Sequence, residues 1–221
     1  FDEHLYGFRY VEHTLIDRLH FGHSADWGAH LIGKEGVVNY AFSAVNGGGY
    51  HNWARSKTVD VAGRVGAEPL PGLNLAVGGY IGKLGKDNGT PGAPIQHTAT
   101  RLDLIAAYVQ PTYRVGFEYF KAFHWGTVTS KPGASDQGYG ISAWGAVSPM
   151  RHITLFTRFD YAKPNQRPGP VQSETDYYFN VGAQYQAYKN VLLALAFKHN
   201  KRDHTSFGTR NEVGLWTQVK F

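Results

Sequence analysis

The chain has 221 residues with 27 Gly, 14 Tyr, 13 Phe, 5 Trp, a single Met and no Cys, a composition of short strands and turns within one domain. The missing cysteines exclude disulfides, thiolate metal sites and haem attachment through Cys-x-x-Cys-His. The formal charge of +5 and pI of about 9.3 come from basic residues scattered singly, which argues against a nucleic-acid patch.

Mean hydropathy is −0.36, and no apolar run is long enough for a membrane-spanning helix. Strands of a membrane barrel carry only alternating hydrophobicity, so that negative leaves them untouched. The chain opens on Phe1-Asp2-Glu3-His4, with neither Met nor a charged and then apolar leader, and reads as a processed form or as a fragment of something longer.

In chain order, twelve segments alternate with period two and predict strands. The first, 5–11, sets Tyr6, Phe8 and Tyr10 opposite Arg9. Segments 27–34, 38–45, 59–67 and 73–82 follow. In the last two, Val59, Val61 and Val65 oppose Asp60 and Arg64, and Leu73, Leu75 and Val77 oppose Asn74 and Gly78. The second half continues with 101–109, 113–123, 139–147, 153–161, 177–187 and 191–198. Here Leu102 and Leu104 oppose Arg101 and Asp103, Val115 and Phe117 oppose Arg114 and Glu118, and Leu155 and Phe159 oppose Arg158 and Asp160. The closing strand, 213–221, sets Val213, Leu215, Val219 and Phe221 against Gln218 and Lys220.

Counted back from the end, the joints alternate between tight and long. Tyr188-Lys189-Asn190, Ser148-Pro149-Met150, Gln110-Pro111-Thr112, the Pro-Gly stretch at 68–72 and Glu35-Gly36 are tight; 203–210, 163–174, 125–137, 83–99, 46–57 and 12–26 are long and polar. Sorting loops by end is the habit of outer-membrane barrels, with short periplasmic turns and long outer loops. Tyr108, Tyr113, Tyr185 and Tyr188 near the tight joints, and Tyr50, Trp53, Trp125 and Tyr161 near the long ones, read as two interfacial aromatic girdles. The expected architecture is thus all-β: a transmembrane antiparallel up-and-down barrel of twelve strands occupying 1–221 as one domain. The alternative is the C-terminal part of a sixteen-stranded porin barrel.

Several stretches resemble the phosphate-selective porin O and P family: Tyr6-Gly7-Phe8-Arg9-Tyr10-Val11, Thr14-Leu15-Ile16-Asp17-Arg18, Ser24-Ala25-Asp26-Trp27-Gly28, Val38-Asn39-Tyr40-Ala41-Phe42-Ser43-Ala44-Val45-Asn46-Gly47 and Val77-Gly78-Gly79-Tyr80. The resemblance covers roughly the first hundred residues. It implies a homotrimer of sixteen-stranded porins in the outer membrane of a Gram-negative bacterium, each with an inward-folded loop that narrows the pore.

The odd connection is 12–26, where Thr14 and Asp17 make a weak capping box and Leu15, Ile16 and Leu19 form an apolar stripe that needs burial. One reading folds it into the lumen as a constriction, with Arg18, His20 and His23 meeting the solute; the other tucks it against a neighbouring loop or subunit. On the presumed lumen face, Arg9, Lys34, Arg64, Arg101, Arg114, Arg158, Lys198 and Lys220 face Asp60, Glu68, Asp103, Glu118 and Asp160. Such a basic excess favours anions. The residues expected to line the pore and bind solute are Arg9, Arg18, Arg64, Arg114, Arg158 and Lys198.

His20-Phe21-Gly22-His23 is the one close histidine pair and does not make a metal site. No serine or acid–histidine constellation supports an enzyme, and neither metal nor cofactor is expected. The sequence therefore reads as an outer-membrane porin for passive diffusion of small hydrophilic solutes, with a mild preference for anions, phosphate among them. Its expected partners are outer-membrane lipids, small anionic or polar solutes and two further copies, and not nucleic acid. A channel for acidic oligosaccharides, or a barrel acting as sheath or scaffold for a partner protein, are the alternatives.

Overall fold

The computed structural model describes residues 2–22, 25–50, 57–87, 95, 97–130, 132–167, 173–203 and 208–220. Among these residues, eleven strands form one antiparallel sheet in which each strand pairs only with its neighbours in sequence. They are β1 (Gly28–Glu35), β2 (Val38–Val45), β3 (Asp60–Leu70), β4 (Leu73–Gly82), β5 (Ala99–Val109), β6 (Tyr113–Phe123), β7 (Gln137–Met150), β8 (Ile153–Gln166), β9 (Thr175–Tyr188), β10 (Val191–Asp203) and β11 (Gly208–Val219). The tight joints lie at one end of the sheet. Gly36 (φ +55°) and Gly72 (φ +85°) make two of them, positions where a side chain would meet left-handed backbone strain.

The two faces have opposite characters, and the polar one is the covered one. Along β8, Phe156, Arg158, Asp160 and Ala162 are buried while Leu155 and Phe159 are exposed. Along β10, Ala194, Ala196 and Lys198 are buried while Leu195 and Phe197 are exposed. The same inversion runs through the sheet: Phe42, Val61, Val77, Leu104, Phe117, Val147, Val181 and Leu215 all stand exposed on the apolar side. No part of the described chain covers them.

What covers the polar face is the N-terminal segment. The stretch 5–11, expected as the first strand, is instead the end of a short helix and a turn. Helix α1 (Asp2–Tyr6) ends where the Gly7 amide donates to the Glu3 carbonyl at 2.8 Å. Gly7 then takes φ +81°, a left-handed stop that an extended strand does not contain. Leu5, Tyr6, Phe8 and Val11 are all buried, so the apparent alternation of Tyr6, Phe8 and Tyr10 marks a compact turn rather than a pleat. They pack on Ile105, Ala107, Trp144, Ala146, Phe156, Ala194 and Ala196. Phe8 stacks on Phe156 with ring centroids 4.3 Å apart.

Helix α2 (Leu15–Arg18) follows, and its stripe is buried too: Leu15, Ile16, Leu19 and Phe21 pack on Phe120, Ala122 and Ala162. Full burial of side chains of this size is worth roughly 1.5–3 kcal/mol each. The sheet makes room with small residues; a Cβ on Gly116 would run into the Trp144 ring.

These facts correct the expected architecture. The sheet has eleven strands, and β1 and β11 each pair on one side only, with β2 and β10, among the described residues. It is not closed, so neither the twelve-stranded barrel nor the sixteen-stranded alternative is formed. An open sheet encloses no lumen. The passive diffusion porin, its ion transport and anion preference, the acidic-oligosaccharide channel and the barrel serving as a sheath fall together. An open edge also leaves backbone N–H and C=O groups that hydrocarbon cannot satisfy. The transmembrane placement in a Gram-negative outer membrane, the contact with its lipids, the interfacial girdles and the porin homotrimer rested on closure and are withdrawn with it. His23, Trp53 and Phe221, which the expectation used, lie outside the described residues.

Candidate functional site

The basic residues expected to meet a solute mostly hold the N-terminal segment down. Arg158 is fully buried and grips Asp160 with two bonds of 2.7 Å, from Nε to Oδ1 and from Nη2 to Oδ2. Its Nη1 donates to the His13 carbonyl. Arg114 donates to the carbonyls of His4 and Leu5 at 3.4 Å, and burial lowers its pKa. Arg9 pairs with Glu3, and its Nη2 lies 3.7 Å from Asp17. Arg64 donates to Asn39 on the neighbouring strand. On the presumed lumen wall, Asp103 pairs with Arg101, whereas Asp60 accepts from the Tyr80 hydroxyl and from the amides of Lys83 and Leu84.

Arg9 and Arg114 border a cleft of about 690 Å³ at the tight-joint end of the sheet, whereas Arg18 and Lys198 border another of about 570 Å³. This second cleft opens beside α2, between the N-terminal segment and the ends of β8 to β11. Glu12, Arg18, His20 and Phe21 form one wall, and Tyr178, Lys198, Asn200, Arg202, Arg210 and Glu212 the other. Trp125 and Asp136, from the β6–β7 connection, close it. Period-two geometry places the second wall: Lys198, Asn200 and Arg202 sit two apart on β10, on one face.

The charges in this region are interlocked. Arg18 Nη2 lies 2.6 Å from Asp176 Oδ1 and 3.1 Å from Asp160 Oδ2, and both carboxylates are fully buried. Arg202 Nε reaches Asp176 Oδ2 at 2.9 Å and Glu174 Oε1 at 3.6 Å. Lys198 Nζ lies 3.3 Å from Glu12 and 4.3 Å from the Trp216 ring centre. Burial pushes the Asp176 carboxyl upward, but the charge and hydrogen bonds of Arg18, with those of Arg202 and Asn200, outweigh it and hold the group below its ordinary value. Burial raises the Tyr178 hydroxyl well above its ordinary value, and the Arg18 guanidinium lies 4.6 Å from that ring's centre. Trp125 Nε1 donates to the His20 carbonyl at 2.9 Å.

Trp125, Tyr178, Asn200 and Arg202 were not among the expected site residues. Asn200 and Arg202 simply continue the polar-face parity of Lys198 along a strand that runs to Asp203. Tyr178 and Asp176 likewise continue the parity of Asn180. Trp125 is in a connection, where no period could have placed it.

No family model matches the chain, and no curated protein matches it. Among solved structures, it is similar to a porin refined at 1.8 Å, with a TM-score of 0.57 and 13% identity over 86% of this chain and 60% of that one. The chain thus spans 60% of the length of that porin. A NanC porin in a rhombohedral crystal form gives a TM-score of 0.48 at 10% identity, covering 87% of this chain and 91% of that one. At such identity the first likeness is one of fold alone, a shared strand layout. The resemblance to the phosphate-selective porin O and P family is therefore not upheld: its motifs meet no family match, and the sheet they sit in is unclosed.

Proposed function

We propose that this chain is a non-catalytic binding protein that holds a small, neutral, polyhydroxylated molecule of the sugar class in the cleft beside α2. The observation that carries the reading is the balance of the lining. Arg18, Lys198, Arg202 and Arg210 stand among Glu12, Asp136, Glu174 and Glu212, with Asn200 and the Trp125 ring between them. A hydroxyl both donates and accepts, so a sugar can bridge such alternating groups without breaking their pairing. A strongly charged ligand would displace one half of each pair. A cleft of about 570 Å³ is within the range of small-molecule sites, which combine apolar walls with a few convergent polar groups.

Binding without chemistry is favoured because the acids here are engaged. Glu12 faces Lys198, Glu174 faces Arg202, and Asp136 accepts from the Gly126 amide at 3.0 Å and from the Thr127 hydroxyl. A general acid or base needs a proton-exchanging position open to substrate.

Titration of tryptophan fluorescence with sucrose tests the reading. A saturable change in the millimolar range that is lost in Trp125→Ala and unaffected by added inorganic phosphate is expected. Absence of saturable binding by sucrose, maltose and glucose alike would overturn it.

A further inference from the structure

The cleft has an unusual construction: one wall is the sheet and the other is the segment laid upon it. The groups that fasten the segment and the groups that line the cleft overlap. Arg18, which lines the cleft, is tied behind it to Asp160 and Asp176. Glu12, on the segment wall, is tied across the cleft to Lys198. The carbonyl of His20 is held by Trp125, and that of Phe21 by Arg101 Nη1. His20 itself has φ +60°, a left-handed conformation that a non-glycine residue keeps only while its surroundings hold it there.

The fit of segment to sheet is also imperfect. Asn180 donates from Nδ2 to the hydroxyls of Tyr6 and Tyr178, yet among the described residues its buried Oδ1 has no partner, and neither does the buried Ser142 Oγ. Each unsatisfied buried group subtracts from the gain of docking. The segment is thus held by two buried apolar clusters and a few ion pairs, with local mismatch between them.

We infer that residues 8–21 are a ligand-coupled strap: occupancy of the cleft seats the segment on the sheet, and seating of the segment completes the binding site. The inference rests on the sugar-binding reading above. A ligand that touches both walls binds the seated form and not the released one, and so shifts the population toward seating. Linkage makes the effect reciprocal, so loosening the segment weakens the ligand to the same degree. Asp160 is the decisive residue: it clamps Arg18 from behind, and neither it nor its other partner Arg158 lines the cleft. It is a positioning residue, acting on the ligand through the strap, whereas Asp176 also holds Arg202 and Asn200 of the sheet wall.

Hydrogen exchange on the full chain, with and without saturating sucrose, tests this. Amides of residues 15–21 should exchange several-fold more slowly with sucrose, while those of β3 and β4, remote from the cleft, should not change. Asp160→Asn should speed exchange in 15–21 without sugar and raise the sucrose Kd several-fold; if that variant fails to fold, Asp176→Asn takes its place, with exchange in 15–21 as its readout. Saturable sucrose binding with unchanged exchange in 15–21 would overturn the strap and leave the binding reading intact. Absence of saturable binding by sucrose, maltose and glucose alike, judged by the fluorescence titration, would overturn both.

Discussion

Arg18 and Asp176 stand 158 residues apart in sequence and 2.6 Å apart in space. That contact, with the 3.1 Å approach of the same guanidinium to Asp160, fixes α2 to β8 and β9. Removing one member of a buried ion pair leaves the other desolvated and uncompensated, which costs about 3–5 kcal/mol when no other partner remains. Arg158 and Arg202 still serve Asp160 and Asp176, so Arg18→Ala should cost somewhat less, about 2 kcal/mol. Chemical denaturation of wild type, Arg18→Ala, Asp176→Asn and the double variant measures it; additive losses would show that the pair is not coupled.

Acid should act on the same contact. The Asp176 carboxyl is held below its ordinary value in the folded chain. Its contribution is therefore complete above the unfolded carboxylate value and is lost as pH falls through the lowered folded one. Exchange in residues 15–21 should accelerate over that acidic interval, and the acceleration should vanish in Asp176→Asn.

Alkali should act on the buried tyrosines. Burial, with the Asp60 hydrogen bond in the case of Tyr80, raises the hydroxyls of Tyr6, Tyr80 and Tyr178 above the ordinary 10.0. Their contribution is complete below the unfolded value and is lost as pH rises toward the folded ones. Stability should fall steadily above about pH 10, with ultraviolet absorbance showing tyrosinate at unfolding rather than before it. Phenylalanine at position 178 should flatten part of the slope.

Gly7 tests the turn that replaces the expected first strand. Its φ is +81°, and the space where a Cβ would stand holds the Arg114 guanidinium. Gly7→Ala should cost about 1–2 kcal/mol from backbone strain alone and should displace Arg114 from the carbonyls of His4 and Leu5. An unchanged denaturation midpoint would show that the segment's entry does not depend on this turn.

Period-two alternation was enough to find each of the eleven strands, because each keeps an apolar and a polar face over most of its length, with register shifts confined to the ends of β3, β7 and β10. It went wrong at Tyr6, Phe8 and Tyr10, where a helix end and a turn happen to space aromatics as a strand would. The polar face carried a warning. Phe120, Trp144 and Phe156 point to the same side as Glu118, Ser142 and Arg158, and large apolar groups facing water without cover are costly. They are the floor on which Phe8 and Phe21 rest. Closure was beyond any local pattern, since alternation dictates how a strand presents its faces and not what lies along its edge. The cleft was half legible: Lys198 follows from parity and Arg18 from the apolar stripe that required its connection to be buried, whereas Trp125 depends on how a connection folds back.

The sheet's strictly sequential order has a consequence for how the chain matures. Each strand meets the one just before it, so the sheet can lengthen hairpin by hairpin through contacts between sequence neighbours. The N-terminal segment is the exception. Tyr10 bonds Gln184 across 174 residues, and Glu12 meets Lys198. Residues 5–21, made before the strands they rest on, thus have no complete resting place until β10 exists. During synthesis, Leu5, Phe8, Leu15 and Phe21 wait without their floor, which makes docking of this segment a late, high-contact-order event and the point in folding most exposed to misassociation.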